Sequence, residues 1–224
     1  MSPLPTFNAE NIFSSDEIDL VDQLVNSVGI HDVDDSGSYP DSGKHGRYSG
    51  KTTANNIHWN YHRCPEIEKI LTPKLEQLLQ RQLLVTDAHI LEAKLPYLVH
   101  TDFIHNNQGH VPEYTVIIPL DTYDSVTVCF NEWAEDYNDF EIFKQSYQGE
   151  KKLRIDPGFA VDRLNHIHPK DIVYLTVHDT FAWRKGSVFA MDRRYFHCSD
   201  NFVKRGLPTK RAIILWTLSS STKY

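Results

Sequence analysis

Long apolar runs are missing from this 224-residue sequence: nothing approaches the ~18 consecutive apolar residues that a membrane span needs. Cysteine is scarce as well. Cys64, Cys129 and Cys198 are odd in number, scattered, and form no C-x-x-C pair, which argues against a disulfide framework and a thiolate zinc site. Concentrated positive charge is absent: Lys and Arg total 23 against 30 Asp and Glu, a net charge of −7, and no basic run exceeds two residues. Nucleic acid and membrane surface are therefore not expected as partners, since both require a basic face. The N-terminal residues lack the positive and apolar regions of a secretory signal. Together with the cysteine usage this makes a reducing cytoplasm the expected location. There is no G-x-S-x-G elbow for a hydrolase and no glycine-rich phosphate loop.

What is present is a globular composition, 40% hydrophobic and 12% aromatic, with 12 histidines. The length suits one domain over 1–224. Ser14 and Glu17 have capping-box spacing ahead of Ile18, Val21, Leu24 and Val25, which predicts a helix over about 15–28. Residues 31–60 carry turn formers without a period and read as a loop. A second helix is expected after Pro65, kinked or split at Pro73.

Beyond residue 83 helical periodicity gives way to short β-rich runs at 84–85, 89–95, 114–120, 126–130, 171–177, 181–191 and 211–218. No helices alternate with them, so an antiparallel sandwich or barrel is expected and a parallel sheet is not. The expected fold is mainly β: a jelly-roll core over 84–218, interrupted by an insertion at about 133–170, with an N-terminal helical part over 1–83.

Val99-His100-Thr101-Asp102 is the most informative fragment. Residues i and i+2 of an extended chain project from one face, so the His100 imidazole and the Asp102 carboxylate can converge. His197, after a later β-rich run, supplies a third ligand. Two imidazoles and one carboxylate leave open coordination positions, the donor set of non-haem Fe(II) oxygenases.

The order His100-x-Asp102, then Gly186-Ser-Val-Phe-Ala-Met-Asp before His197, then a basic strand starting at Thr209-Lys210-Arg211, resembles the 2-oxoglutarate- and Fe(II)-dependent oxygenase superfamily. The prolyl-hydroxylase-like and phytanoyl-hydroxylase-like branches are the most similar. The resemblance implies a double-stranded β-helix (jelly-roll, cupin-like) core, with Fe(II) on His100, Asp102 and His197. It further implies 2-oxoglutarate and O2 as cosubstrates, ascorbate as a supporting reductant, and hydroxylation of a C–H bond with release of succinate and CO2. The far carboxylate of 2-oxoglutarate then needs a fixed cation. Arg211 is preferred for its bidentate geometry and Lys210 is its rival; neighbours on a strand face opposite ways, so only one can point inward. Tyr97, Tyr114, Thr115 and Asn131 are further candidates for cosubstrate contacts. The substrate is expected to be a peptide, an amino acid or another small molecule.

Other readings compete. His166-Ile-His168 has the same i, i+2 geometry but lies in a Pro- and Asn-rich segment and reads as loop; His105 and His110 read as loop histidines. Cys198, on the opposite face from His197, reads as a buried hydrophobe. A metal-free jelly-roll binding module, or a cupin-type Fe(II) enzyme that uses no 2-oxoglutarate, are the alternative functions.

Overall fold

The computed structural model describes residues 2–34, 54–102, 112–134 and 153–219. Ten strands and three α-helices appear among them: β1 (Phe7–Ala9), α1 (Ser15–Val28), β2 (Ile30–Asp34), β3 (Ala54–His58), α2 (Pro65–Leu79), β4 (Leu83–Ala93), β5 (Tyr114–Pro119), β6 (Val126–Trp133), α3 (Pro157–Arg163), β7 (Val177–Ala182), β8 (Val188–Asp192), β9 (Tyr195–Ser199) and β10 (Lys210–Ser219).

The capping box forms as expected. Ser14 Oγ accepts from Glu17 N–H at 3.2 Å, and the Glu17 carboxylate accepts from Ser14 N–H at 2.7 Å. Helix α1 buries Ile18, Val21 and Val25. Helix α2 runs through Pro73 without splitting, contrary to one alternative expected from the sequence. Burial of Ile67, Leu71, Leu75 and Leu79, each contributing about 1.5–3 kcal/mol, offsets the backbone bond that proline removes.

Strands β1-β8-β5-β10-β4-β3-β2 form a seven-stranded sheet, and β7-β6-β9 a three-stranded one. All pairings are antiparallel. An antiparallel bridge between His100 and His197 adds the chain around His100 to the edge of the smaller sheet. The order β4-β10-β5-β8 facing His100-β9-β6-β7 is that of a double-stranded β-helix, so the expected mainly β jelly-roll with N-terminal helices is the fold.

Three expectations need correction. Both ends of the predicted 31–60 loop are strands, because β2 and β3 pair with each other and extend the larger sheet past β4; residues 35–53 lie outside the described residues. The run at 171–177 is a 3-10 turn followed by irregular chain, and the strand lies over Val177–Ala182 instead. The run at 181–191 is broken, since the chain turns at Arg184–Gly186 to pass from β7 in one sheet to β8 in the other. Gly186 (φ +75°) is required at that turn: a Cβ there would fall 2.1 Å from the Phe13 carbonyl oxygen. Of the predicted insertion, 135–152 lies outside the described residues.

Apolar side chains form three layers. One lies between the helices and the outer face of the larger sheet, with Ile18, Leu71, Tyr114, Ile213 and Leu215. A second fills the space between the sheets, with Ile117, Cys129, Phe181, Phe189, Ala212, Ile214 and Trp216. The third covers the outside of the smaller sheet and includes Val128, Leu164 and Cys198, the buried hydrophobe that strand alternation predicted.

Candidate active site

His100, Asp102 and His197 converge as the sequence suggested, with one ligand atom of each lying within 4.8 Å of the others. His100 Nε2 and His197 Nε2 each stand 3.5 Å from a different oxygen of Asp102. Both outer nitrogens are committed: Nδ1 of His100 faces the Leu98 carbonyl at 2.7 Å, and Nδ1 of His197 faces the Tyr195 carbonyl at 3.1 Å. As Nδ1–H donors, both rings turn an Nε2 lone pair toward the carboxylate, the tautomer that a metal ligand needs.

Electrostatics prepare the same donor set. Burial pulls the His197 imidazole down to about 4, against the opposing pull of Asp102, so the ring is neutral at pH 7. Burial acts to raise Asp102, but the His197 and His100 imidazoles outweigh it and hold the carboxyl well below the usual carboxylate range. Thr115 Oγ1 also lies close enough to lower Asp102, yet it makes no hydrogen bond of good geometry. Two imidazole nitrogens and one carboxylate oxygen brought together in this way fit a divalent first-row metal.

Strand parity decides between the two candidate cations. Lys210, Ala212, Ile214 and Trp216 face the space between the sheets, whereas Arg211, Ile213 and Leu215 face the helices. The preferred candidate Arg211 is thus turned away from the barrel interior, where it donates to both carboxylate oxygens of Asp22 on α1 at 2.7 and 3.1 Å. Lys210 is 1% exposed. Its ammonium donates to Ser125 Oγ at 3.2 Å and sits 4.0 Å over the Trp183 ring. Ser125 in turn donates to the buried Asp200 at 2.6 Å, and Asp200 is neutralised by Arg163 at 3.1 Å. Burial pulls the Lys210 ammonium down to about 8, a loss that the field of Asp200 partly restores.

The remaining candidates divide. The Tyr97 ring lies 5.7 Å from the His100 ring. Tyr114 faces the helical layer with Phe7 and Arg81, because its neighbour Thr115 takes the inward position. Asn131 is exposed, with Oδ1 3.0 Å from His178 Nδ1. His166 is buried, with Nε2 3.3 Å from the Tyr97 carbonyl, and His168 caps a 3-10 turn through a 3.1 Å bond from Lys170 N–H. His105 and His110 lie outside the described residues. Sequence reasoning missed Ser125, Asp200, Trp183, His89 and Trp216; only their inward parity marks them, and parity requires the register.

No protein-family model matches the chain, and no curated protein matches it in sequence. Solved structures do resemble it in fold. The non-heme alpha-ketoglutarate-dependent epimerase SnoN from nogalamycin biosynthesis superposes with a TM-score of 0.58 at 10% identity, covering 96% of this chain and 78% of that one. The carbocyclase SnoK from the same biosynthesis gives 0.57 at 14% identity, over 96% and 80% of the two chains. HygX from Streptomyces hygroscopicus, solved with nickel and 2-oxoglutarate bound, gives 0.52 at 9% identity, over 96% and 83%. The fold of this chain is therefore that of the non-haem, 2-oxoglutarate-dependent enzymes, with a His-Asp-His cluster inside it.

Proposed function

We propose that this chain is an Fe(II)- and 2-oxoglutarate-dependent oxygenase acting on a small molecule. The observation that carries the reading is the convergence of His100 Nε2, Asp102 and His197 Nε2, with both Nδ1 atoms held by backbone carbonyls. Iron bound to that set would couple the reduction of O2 to oxidative decarboxylation of 2-oxoglutarate, giving succinate and CO2, and to oxidation of a substrate C–H bond that takes up the second oxygen atom.

The chain's own residues divide the work. His100, Asp102 and His197 hold the metal and leave coordination positions free for cosubstrate. Lys210 anchors the far carboxylate. It donates to Ser125, which is fixed by Asp200 just past the end of β9, the strand that carries His197. Trp183 and Phe202 screen the ammonium from water, which strengthens its attraction to a carboxylate. Ser125, fixed by Asp200, limits the positions Lys210 can take. Thr115 stands beside Asp102 with a hydroxyl to offer. Asp102 supplies the carboxylate that favours hydroxylation over halogenation, although the structural neighbours include an epimerase and a carbocyclase, so the fold admits other outcomes after C–H oxidation.

The test is succinate formation from 2-oxoglutarate by anaerobically purified protein supplied with Fe(II), ascorbate and air. Slow turnover is expected without added substrate, and none in Asp102→Ala. Absence of both succinate formation and Fe(II) binding in the unsubstituted protein would overturn the reading in favour of a metal-free binding module.

A further inference from the structure

On the inner face of the larger sheet, one row of side chains leads away from the metal cluster across four strands. Thr115 on β5 opposes Trp216 on β10, and His89 on β4 opposes His58 on β3. The rings are in sequence: Trp216 to His89 is 4.7 Å and His89 to His58 is 5.0 Å between centroids, at tilts of 48° and 56°. Thr115 stands beside Asp102, and the Asp102 carboxylate acts on His89. At the outer end, His58 Nδ1 lies 4.0 Å from Asp87, and both side chains are over one-third exposed. Asp87 also lines a cleft of about 370 Å³ beyond the end of β3, with Trp59, Tyr61 and His62. The row thus spans ~14 Å, three interstrand spacings, from Thr115 beside Asp102 to the partly exposed His58.

Its polar atoms are unsatisfied. Thr115 Oγ1, Trp216 Nε1 and His89 Nδ1 are buried without a hydrogen-bond partner, as is Asn56 Oδ1, two residues from His58 on the same face of β3. A buried polar group left unpaired costs free energy, so four along one wall call for a ligand that completes them. They are mixed in character. The Trp216 indole only donates, the Asn56 oxygen only accepts, and the Thr115 hydroxyl does either. A ligand hydroxyl, both donor and acceptor, meets each of them. The aromatic faces offer a platform for the C–H surface of a ring. The carboxylates Asp87 and Asp102 stand at the two ends of the row, which disfavours an anionic occupant. Burial keeps His89 uncharged by pulling it down to about 3.

We propose that the row Thr115, Trp216, His89 and His58 is the substrate wall, and that its occupant is an uncharged ring bearing several hydroxyl groups, of monosaccharide or cyclitol size. The inference rests on the oxygenase reading for its placement beside the metal, but its test is separate. The full chain, uniformly 15N-labelled and supplied with Zn(II) and 2-oxoglutarate, is titrated with methyl α-glucopyranoside, methyl β-xylopyranoside and myo-inositol, and with benzoate and choline as charged controls. The Trp216 indole N–H resonance, identified by its loss in Trp216→Phe, is followed. The expected result is a saturable shift by at least one neutral polyol at millimolar concentration, weakened about tenfold in His89→Phe, the loss of roughly one hydrogen bond. A resonance moved by none of the polyols, moved only by a charged control, or moved equally in a folded His89→Phe overturns the proposal. Succinate formation without polyol separates the two inferences. Turnover with no shift sinks the wall alone, whereas a shift with no turnover or Fe(II) binding sinks the oxygenase and keeps the wall as a binding site.

Discussion

His100 and His197 exchange both of their backbone hydrogen bonds, N–H to carbonyl at 3.0 Å in one direction and 2.9 Å in the other. The two imidazoles stand 4.2 Å apart between centroids as a result. One bridge between residues 97 positions apart thus closes the smaller sheet and assembles two of the three candidate ligands. Asp102 joins them because its own N–H is held by the Arg193 carbonyl at 2.9 Å, on the turn that leads into β9.

Removing a ligand should abolish metal binding without unfolding the barrel. His197→Ala and Asp102→Ala are each expected to weaken Fe(II) binding by at least about a hundredfold, because two remaining ligands hold the ion poorly. Anaerobic Fe(II) titration checks this. A variant that binds iron as tightly as the unsubstituted protein would remove the triad from consideration.

Lys210 and Arg211 should separate cleanly. Lys210→Met is expected to weaken 2-oxoglutarate binding by roughly 2–5 kcal/mol, the range for truncating one member of a buried charge pair. Arg211→Gln is expected to leave it unchanged and to cost about 0.2–1 kcal/mol of stability through the partly exposed bond to Asp22. Calorimetric titration of both variants decides between the neighbours; the opposite ranking would return the anchor to Arg211.

Stability of the metal-free protein should fall as pH drops from 6.5 to 4. In the unfolded chain His89 and His197 take up protons near 6.5, whereas burial keeps them neutral in the fold down to about 3 and about 4. The unfolded state therefore holds more protons in this window. Each depressed pKa then withdraws stability, on the order of 3 kcal/mol for His197 by pH 4. Asp102, held low in the fold, adds to the loss only below about 3.8, outside the window. Urea melts at several pH values check the slope, and a midpoint independent of pH between 7 and 5 would contradict it.

Two local devices should show measurable stability. Ser14→Ala removes a cap and is expected to cost ~1 kcal/mol. Gly186→Ala is expected to cost more, since the new Cβ collides with the Phe13 backbone in a left-handed conformation. Thermal denaturation of the two variants gives the order.

Local chemistry was legible in the chain itself. The Ser14–Glu17 box and its apolar stripe specify α1 because the interactions lie within one turn. The His100-x-Asp102 spacing places two candidate ligands on one face because the backbone there is extended. The strand boundaries were less legible: β7 carries His178, Asp179 and Thr180, polar residues that fall between the predicted runs at 171–177 and 181–191, and is held as a strand by β6 beside it.

The class of fold and three converging candidate ligands can be read from the chain alone, since alternation, capping and i, i+2 projection are short-range consequences of backbone geometry. Which cation faces inward depends instead on strand pairing. Residues 212–216 are apolar on both faces of β10, so no polar alternation marks the interior side. The register against β4 and β5 sends Arg211 to Asp22 and Lys210 into the barrel. The row from Thr115 to His58 was hidden for the same reason: its members come from four strands, and nothing local in any one of them records the neighbour that sheet pairing supplies.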